Sequence, residues 1–278
     1  MSIVDNLKLG LKRSLSDPKK LGIYTAFNAV IMILLFGSLH FIFEPLVNTA
    51  HNLANVNATA ANSIFTIIPQ HNFIISTILV ILAIVLSIYV SGYAYKLIEC
   101  AIKKEQEFPD FSDVKTLLIS GVKMAVVGFV YTIIPSLITY AAPQISQATH
   151  LPILGAIISF IGFVLGIIAF LLCIMATNNM IANNSFKDAF NFDTVKSLIS
   201  SIGWLRFLGA IIFLCFILMI LILAVTIVLV LIVGVLALAG PIGIKIGLVI
   251  MFIVFLLAGS YMNFVTCLFY GALYNEAI

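Results

Sequence analysis

Between Phe207 and Asn275 the chain carries one charged side chain, Lys245. No water-exposed surface can be built from such a stretch, because a soluble domain draws about a quarter of its residues from Asp, Glu, Lys and Arg. Over all 278 residues the charged share is 9% and the hydrophobic share 63%. A chain this apolar needs lipid as its outer solvent, and the fold class expected is an all-α integral membrane protein.

Crossing about 30 Å of hydrocarbon takes roughly 20 helical residues at 1.5 Å each. Leu21–Phe43, Phe73–Ile98, Val122–Tyr140 and Leu154–Ala176 each meet that length. The run after Phe207 is too long for one helix and suits two, Phe207–Val233 and Gly247–Gly271, parted where Gly234, Gly240, Pro241, Gly243 and Gly247 cluster around Lys245. Six spans result. Residues 234–246 then form either a loop or, as the alternative, a short re-entrant piece near Ala237–Ile244. The first apolar segment is too long for a cleavable leader and follows a long basic stretch, so it is read as a retained span.

Basic residues orient this arrangement. Lys8, Lys12, Arg13, Lys19 and Lys20 precede span one; Lys96, Lys103, Lys104, Lys115 and Lys123 surround the second connection; Lys187, Lys196 and Arg206 surround the fourth. Connections one and three, Glu44–Asn72 and Ala141–Pro152, hold neither Lys nor Arg. Thirteen of fourteen basic residues fall on one side, which the positive-inside rule makes cytoplasmic, with both termini there and the cell membrane as location.

Three segments on that side have amphipathic character. The first places Ile3, Val4, Leu7, Leu11 and Leu15 on one stripe with Lys8 and Lys12 elsewhere, the pattern of a helix lying among anionic headgroups. Asp17 and Pro18 then offer an N-cap and a first-turn proline for span one. The other two align with each other: Phe111–Ser120 (FSDVKTLLIS) and Phe192–Ser201 (FDTVKSLISS), with Ser112 and Asp193 as cap candidates. The organisation expected is a single membrane domain, 1–278, of three tandem units (1–100, 108–183 and 189–278), each an interfacial helix followed by a hairpin of spans in parallel orientation.

The same stretches carry a family resemblance. Gly92 to Lys123 (GYAYKLIECAIKKEQEFPDFSDVKTLLISGVK), Asp188–Ile199 (DAFNFDTVKSLI) and Tyr270–Ala277 (YGALYNEA) resemble an uncharacterised prokaryotic multi-pass membrane family, domain of unknown function 4013. The likeness covers nearly the whole sequence. It implies inner aromatic-Pro-acidic turns that lead into apolar spans, and it carries over no catalytic or binding residue.

Chemistry is mostly excluded. No HExxH, no phosphate-cradling glycine loop and no intramembrane Ser–His pair or acid pair occurs, so no enzyme and no cofactor are expected. A net charge of +3 gives no footprint for nucleic acid. His40 and Glu44, four apart, have metal-ligand spacing, but nothing fixes a third ligand, and interfacial polar residues are the default reading. The four cysteines read as small packing hydrophobes, with Cys100 as a candidate for acylation near the inner surface.

Packing roles come next. Gly162 and Gly166 form a GxxxG with Gly155 a heptad earlier, the pattern of close helix approach. Pro135 predicts a kink whose freed carbonyl Thr132 or Ser136 satisfies. Lys96, Glu99, Lys123 and Arg206 lie at the inner ends of spans, where Lys96–Glu99 and Glu99–Lys103 can pair. The polar residues left inside the membrane are neutral: Ser87, Ser91, Tyr95 and Asn263 lead them, and Asn263, the costliest to bury, is expected to hydrogen-bond a neighbouring helix or, as the alternative, to line a polar cavity. Two functions follow as expectations. One is a non-enzymatic organising or accessory protein with membrane-protein partners or a second copy of itself. The other is a transporter or channel for a neutral or lipid-like substrate.

Overall fold

The computed structural model describes residues 3–54 and 69–278. The middle of the first connection, 55–68, therefore lies outside the described residues. Eight α-helices make up the described chain, with no strand among its residues: α1 (Ile3–Arg13), α2 (Pro18–Ala54), α3 (Gln70–Ile102), α4 (Val114–Thr149), α5 (Pro152–Ala182), α6 (Phe192–Ile202), α7 (Trp204–Ala237) and α8 (Pro241–Tyr274). Six of these, α2 to α5, α7 and α8, are long and apolar enough to cross a membrane. Fold class and span number are those of the sequence reading.

The helices pair as hairpins α2/α3, α4/α5 and α7/α8, and the second members, α3, α5 and α8, touch one another at the centre. Around them α2 packs on α3 and α8, and α4 packs on α3 and α5. The third outer helix, α7, leans on α8, with α6 wedged between it and α5. Close crossings hold the centre. A Cβ on Gly92 of α3 would stand 1.7 Å from the Leu117 carbonyl oxygen of α4, and one on Gly121 would stand 1.8 Å from that of Ile88. Only glycine permits backbones this close.

The centre ends in aromatics at the end that bears both termini. Phe111 of the α3–α4 connection stacks on Tyr93 at 3.9 Å, Phe108 meets Phe264 edge-on at 5.6 Å, and Tyr24 meets Phe264 at 5.2 Å. Rings stacked or crossed in this way contribute beyond their buried area. The α3–α4 connection thus folds back onto the bundle, and the hydroxyls of Tyr89 and Tyr93 donate to the carbonyls of Phe111 and Pro109.

Several boundaries depart from expectation. Residues 234–246 are neither loop nor re-entrant helix: α7 runs to Ala237, α8 starts at Pro241, and Gly240 (φ 78°) makes the turn. Connection three is also helical. α4 continues through Pro143 to Thr149 because Ala142 and Ser146 pack against Gly155 of α5, and the chain reverses only at His150 (φ 56°). Thr132 donates to the Gly128 carbonyl, not to the Tyr131 carbonyl that Pro135 leaves without its amide partner.

The three amphipathic segments also take different courses. Phe111–Ser120 is not a separate helix: Asp113 caps it at Thr116 N–H (3.1 Å), and no break follows before Thr149, so it is the first turns of α4. Its counterpart is separate, since α6 ends at Gly203, whose φ of 95° an L side chain resists. The caps are Asp113 and Asn191, not Ser112 and Asp193. Asp17 caps span one as read, at 3.0 Å to Lys20 N–H. In α1 the stripe faces protein more than lipid. Leu7 and Gly10 are buried against α8, Ile3 and Leu11 pack beside them, and Val4 and Leu15 stay exposed. Gly10 allows that approach, and Tyr261 of α8 donates to the Leu11 carbonyl.

Candidate functional site

Chains that lie within lipid satisfy polar side chains internally or gather them where a solute is handled. Ser87 and Ser91 recur at helical spacing on α3, and Asn28 lies at a similar height on α2. The contacts of α2 with both α3 and α8 bring these residues opposite Asn263 and Thr266. The result is a cleft of about 420 Å³ whose polar lining is Asn28, Ser87, Ser91, Asn263 and Thr266, with Tyr24 and Tyr270. Every side chain along it is uncharged.

The hydrogen bonds decide what the cleft offers. Tyr24 donates to Asn263 Oδ1 at 3.0 Å, and the Cys267 thiol donates to the same oxygen at 3.4 Å. With its carbonyl occupied, Asn263 keeps two amide protons, and its side chain is exposed on the cleft wall. Asn263 thus takes a hydrogen bond from the neighbouring helix α2 and also borders the cleft, the two outcomes its polarity allowed. Asn28 is the complement: its Nδ2 donates to the Tyr24 carbonyl (3.1 Å) and to Ser260 Oγ (3.4 Å), leaving Oδ1 as an acceptor. Ser87 and Ser91 donate to the carbonyls of Ala83 and Ser87, each at 2.8 Å, and keep their oxygen lone pairs. Asn263 of α8 thus supplies donors, and Asn28 of α2 with the two serines of α3 supplies acceptors.

Depth follows from helix rise. Ser87 is nine residues from Lys96 and Asn28 eight from Lys20, roughly 12–14 Å along each helix at 1.5 Å per residue. With the lysines at headgroup level, the cleft reaches about halfway to the far surface.

Tyr95 is buried and lies outside this lining. Lys96 and Lys103 both hold Glu99, at 2.7 and 2.6 Å, beyond the cleft toward the termini. Lys123 is half-exposed on α4. Arg206 pairs with Glu276 at 2.8 Å, a partner the sequence reading did not name. Gly162 packs α5 on α4, since a Cβ there would meet Thr139 Oγ1 at 2.6 Å; Gly166 has only Pro135 Cβ, at 3.9 Å. Both glycines border a recess of about 650 Å³ between α4 and α5, but they differ in contact: Gly162 is a crossing point, and a Cβ on Gly166 would meet only that one ordinary contact. That recess is larger than the cleft, but its wall is mainly apolar, and Thr132 and Thr139 spend their hydroxyl protons on their own helix.

His40 and Glu44 lie 3.3 Å apart, both well exposed, and no group of three metal-ligating side chains occurs among the described residues. Cys100 is 1% exposed, with its thiol donating to the Glu107 carbonyl and accepting from Arg13, so it is closed to acylation. The sequence reading missed Asn28, Tyr24 and Asn178. Asn28 and Tyr24 have a legible signal, polar side chains inside an apolar span; Asn178 shares it, donating to the Tyr270 carbonyl while Oδ1 is buried without a partner.

A family model described as "Protein of unknown function (DUF4013)" matches residues 74–233. The stretch takes in α3 to α6 and most of α7, and it stops short of Tyr270–Ala277, so the matched likeness is narrower than the sequence reading had it. Ser87 and Ser91 fall inside it; Asn28 and Asn263 fall outside. No curated protein and no solved structure matches the chain.

Proposed function

The chain belongs to the DUF4013 family, whose function is unknown, and from that premise we propose that it is an intramembrane binding protein or carrier for an uncharged solute. The observation that supports this reading is the cleft between α2, α3 and α8, where Asn263 presents donors, Asn28 and the serines present acceptors, and every lining side chain is neutral. An ion or a proton-coupled substrate calls for a charged or titrating partner at such depth, and a catalytic reaction calls for a nucleophile and base in reach. The proposed activity is therefore non-enzymatic. The cleft lies in the half of the spans nearer the end that thirteen of fourteen basic residues assign to the cytoplasm under the positive-inside rule.

Purification in mild detergent followed by native mass spectrometry tests the reading. Wild type retains an uncharged small molecule; Asn263→Leu loses it while keeping the folded yield. Equal retention by both would overturn the assignment.

A second reading, an organising or accessory protein, draws on a different observation. The outward face of α1 shows Lys8 and Lys12 flanked by Val4, Leu9 and Leu15 on the terminus-bearing end, a surface suited to anionic headgroups. A stable protein partner after pull-down, with the cleft empty, supports that role instead.

A further inference from the structure

The cleft does not end at Asn263. A second compartment of about 270 Å³ continues from it between α2 and α8, sharing Tyr24, Asn28, Ile31 and Asn263 and lined beyond them by Ser260, whose oxygen already accepts from Asn28, and by Met32, Phe255, Leu256 and Gly259. From Asn263 to Phe255 is eight residues, roughly 12 Å along α8, and the direction is away from the terminus-bearing end. The compartment with more polar side chains thus lies nearer the headgroups, and the lining beyond Ser260, toward the bilayer centre, is apolar. This is the polarity gradient of a single leaflet.

We propose that the two compartments together hold one neutral lipid, its hydroxyl-bearing head between Asn263 and Asn28 and a hydrocarbon chain along the slot past Gly259. This rests on the reading of the cleft as a site for an uncharged solute. A hydroxyl both donates and accepts, so it satisfies the Asn28 carbonyl oxygen and the Asn263 amide together. A carboxylate or phosphate head would enter a lining without a cation, and an ammonium head one without an anion, at a depth where unpaired charge is costly. The slot asks for a chain because water there would meet few polar groups.

The probes are monooleoylglycerol (head and chain), oleate (chain with a charged head) and glycerol (head alone), titrated onto the full chain and read by native mass spectrometry. Monooleoylglycerol is expected to bind once, at least tenfold more tightly than either comparator. Gly259→Leu fills the slot, and a Cβ there meets nothing within 4 Å, so folding is retained while monooleoylglycerol binding falls at least tenfold. Asn263→Leu weakens it comparably, and Gly166→Leu, in the recess between α4 and α5, leaves it unchanged. Glycerol binding that Asn263→Leu abolishes and Gly259→Leu spares would sink the lipid assignment while the uncharged-solute reading stands. Oleate binding as tight as monooleoylglycerol would refute the neutral head. Binding indifferent to both cleft variants, or none of the three probes binding, would overturn both proposals.

Discussion

Asn6 and Glu276, separated by 270 residues, share a 2.5 Å hydrogen bond. The same carboxylate takes Arg206 at 2.8 Å, so one side chain ties α1, the start of α7 and the end of the chain. The two bonds differ in worth. Arg206 is half-exposed, and losing such a pair costs about 1 kcal/mol or less. Asn6 is 2% exposed, and stripping its acceptor leaves a buried amide unpaired at about 1–3 kcal/mol. Glu276→Ala is therefore expected to destabilise more than Arg206→Ala, and to raise hydrogen exchange in α1. Thermal melts in detergent and exchange mass spectrometry check both.

Glycines on the crossings should separate by what their Cβ meets. Gly92→Ala drives a methyl to within 1.7 Å of the Leu117 carbonyl oxygen, where backbone must move. The cost is about 1–3 kcal/mol or more, seen as lost folded yield. Gly166→Ala meets one atom at 3.9 Å and should melt like wild type. Gly162→Ala falls between them, because the obstacle is the Thr139 hydroxyl and a side chain can rotate. A flat result across the three would show that these helices are not held where the crossings place them.

Hydropathy made the six spans legible, since length and apolarity are properties of the segments themselves. The continuation of α4 to Thr149 was not, because Gly155 of the next helix settles it. Asn28 shows the same limit: its polarity in an apolar span is legible, but the partners that make it part of a cleft, Ser260 and Asn263, come from α8. Asn263, by contrast, was singled out on polarity alone. Its two expected environments, a hydrogen bond to a neighbouring helix and a polar cavity, both occur, because Tyr24 of α2 reaches its oxygen on the same wall that lines the cleft.

The start of α4 should respond to acid. Asp113 is held below the ordinary aspartate value of 3.8 by hydrogen bonds from the Thr116 hydroxyl and amide. A lowered pKa stabilises the folded form fully above that ordinary value, and the contribution disappears as pH falls through the depressed one. Exchange in the first turn of α4 is expected to rise on acidification below about pH 4, beyond the intrinsic rate change. Asp113→Asn keeps a cap acceptor without the titration and should abolish that rise.

The packing of α1 bears on the three-unit reading of the chain. α1 lies on α8, the second span of the last hairpin, as α6 lies on α5 and the start of α4 lies on α3. In each case a segment at the terminus-bearing end packs on the second span of another hairpin, and for α1 that hairpin is the last in the chain. If three units form a ring, the order in which the chain visits them is dispensable, and the contact between Asn6 and Glu276 brings the two ends within reach of a short linker. A circular permutant that joins Ile278 to Met1 through glycine and serine, and opens between Asn184 and Ser185, preserves every hairpin and the side on which each begins. The cut removes one backbone hydrogen bond, from Ser185 N–H to the Met180 carbonyl, in an exposed turn where Asn184 has a φ of 48°. Such a permutant is expected to reach a folded yield close to wild type and to melt within a few degrees of it in detergent. Failure to accumulate, while an uncut chain carrying the same linker insertion at 184–185 folds, would mean that α1 is a strap specific to the N-terminus and the three hairpins are not interchangeable units.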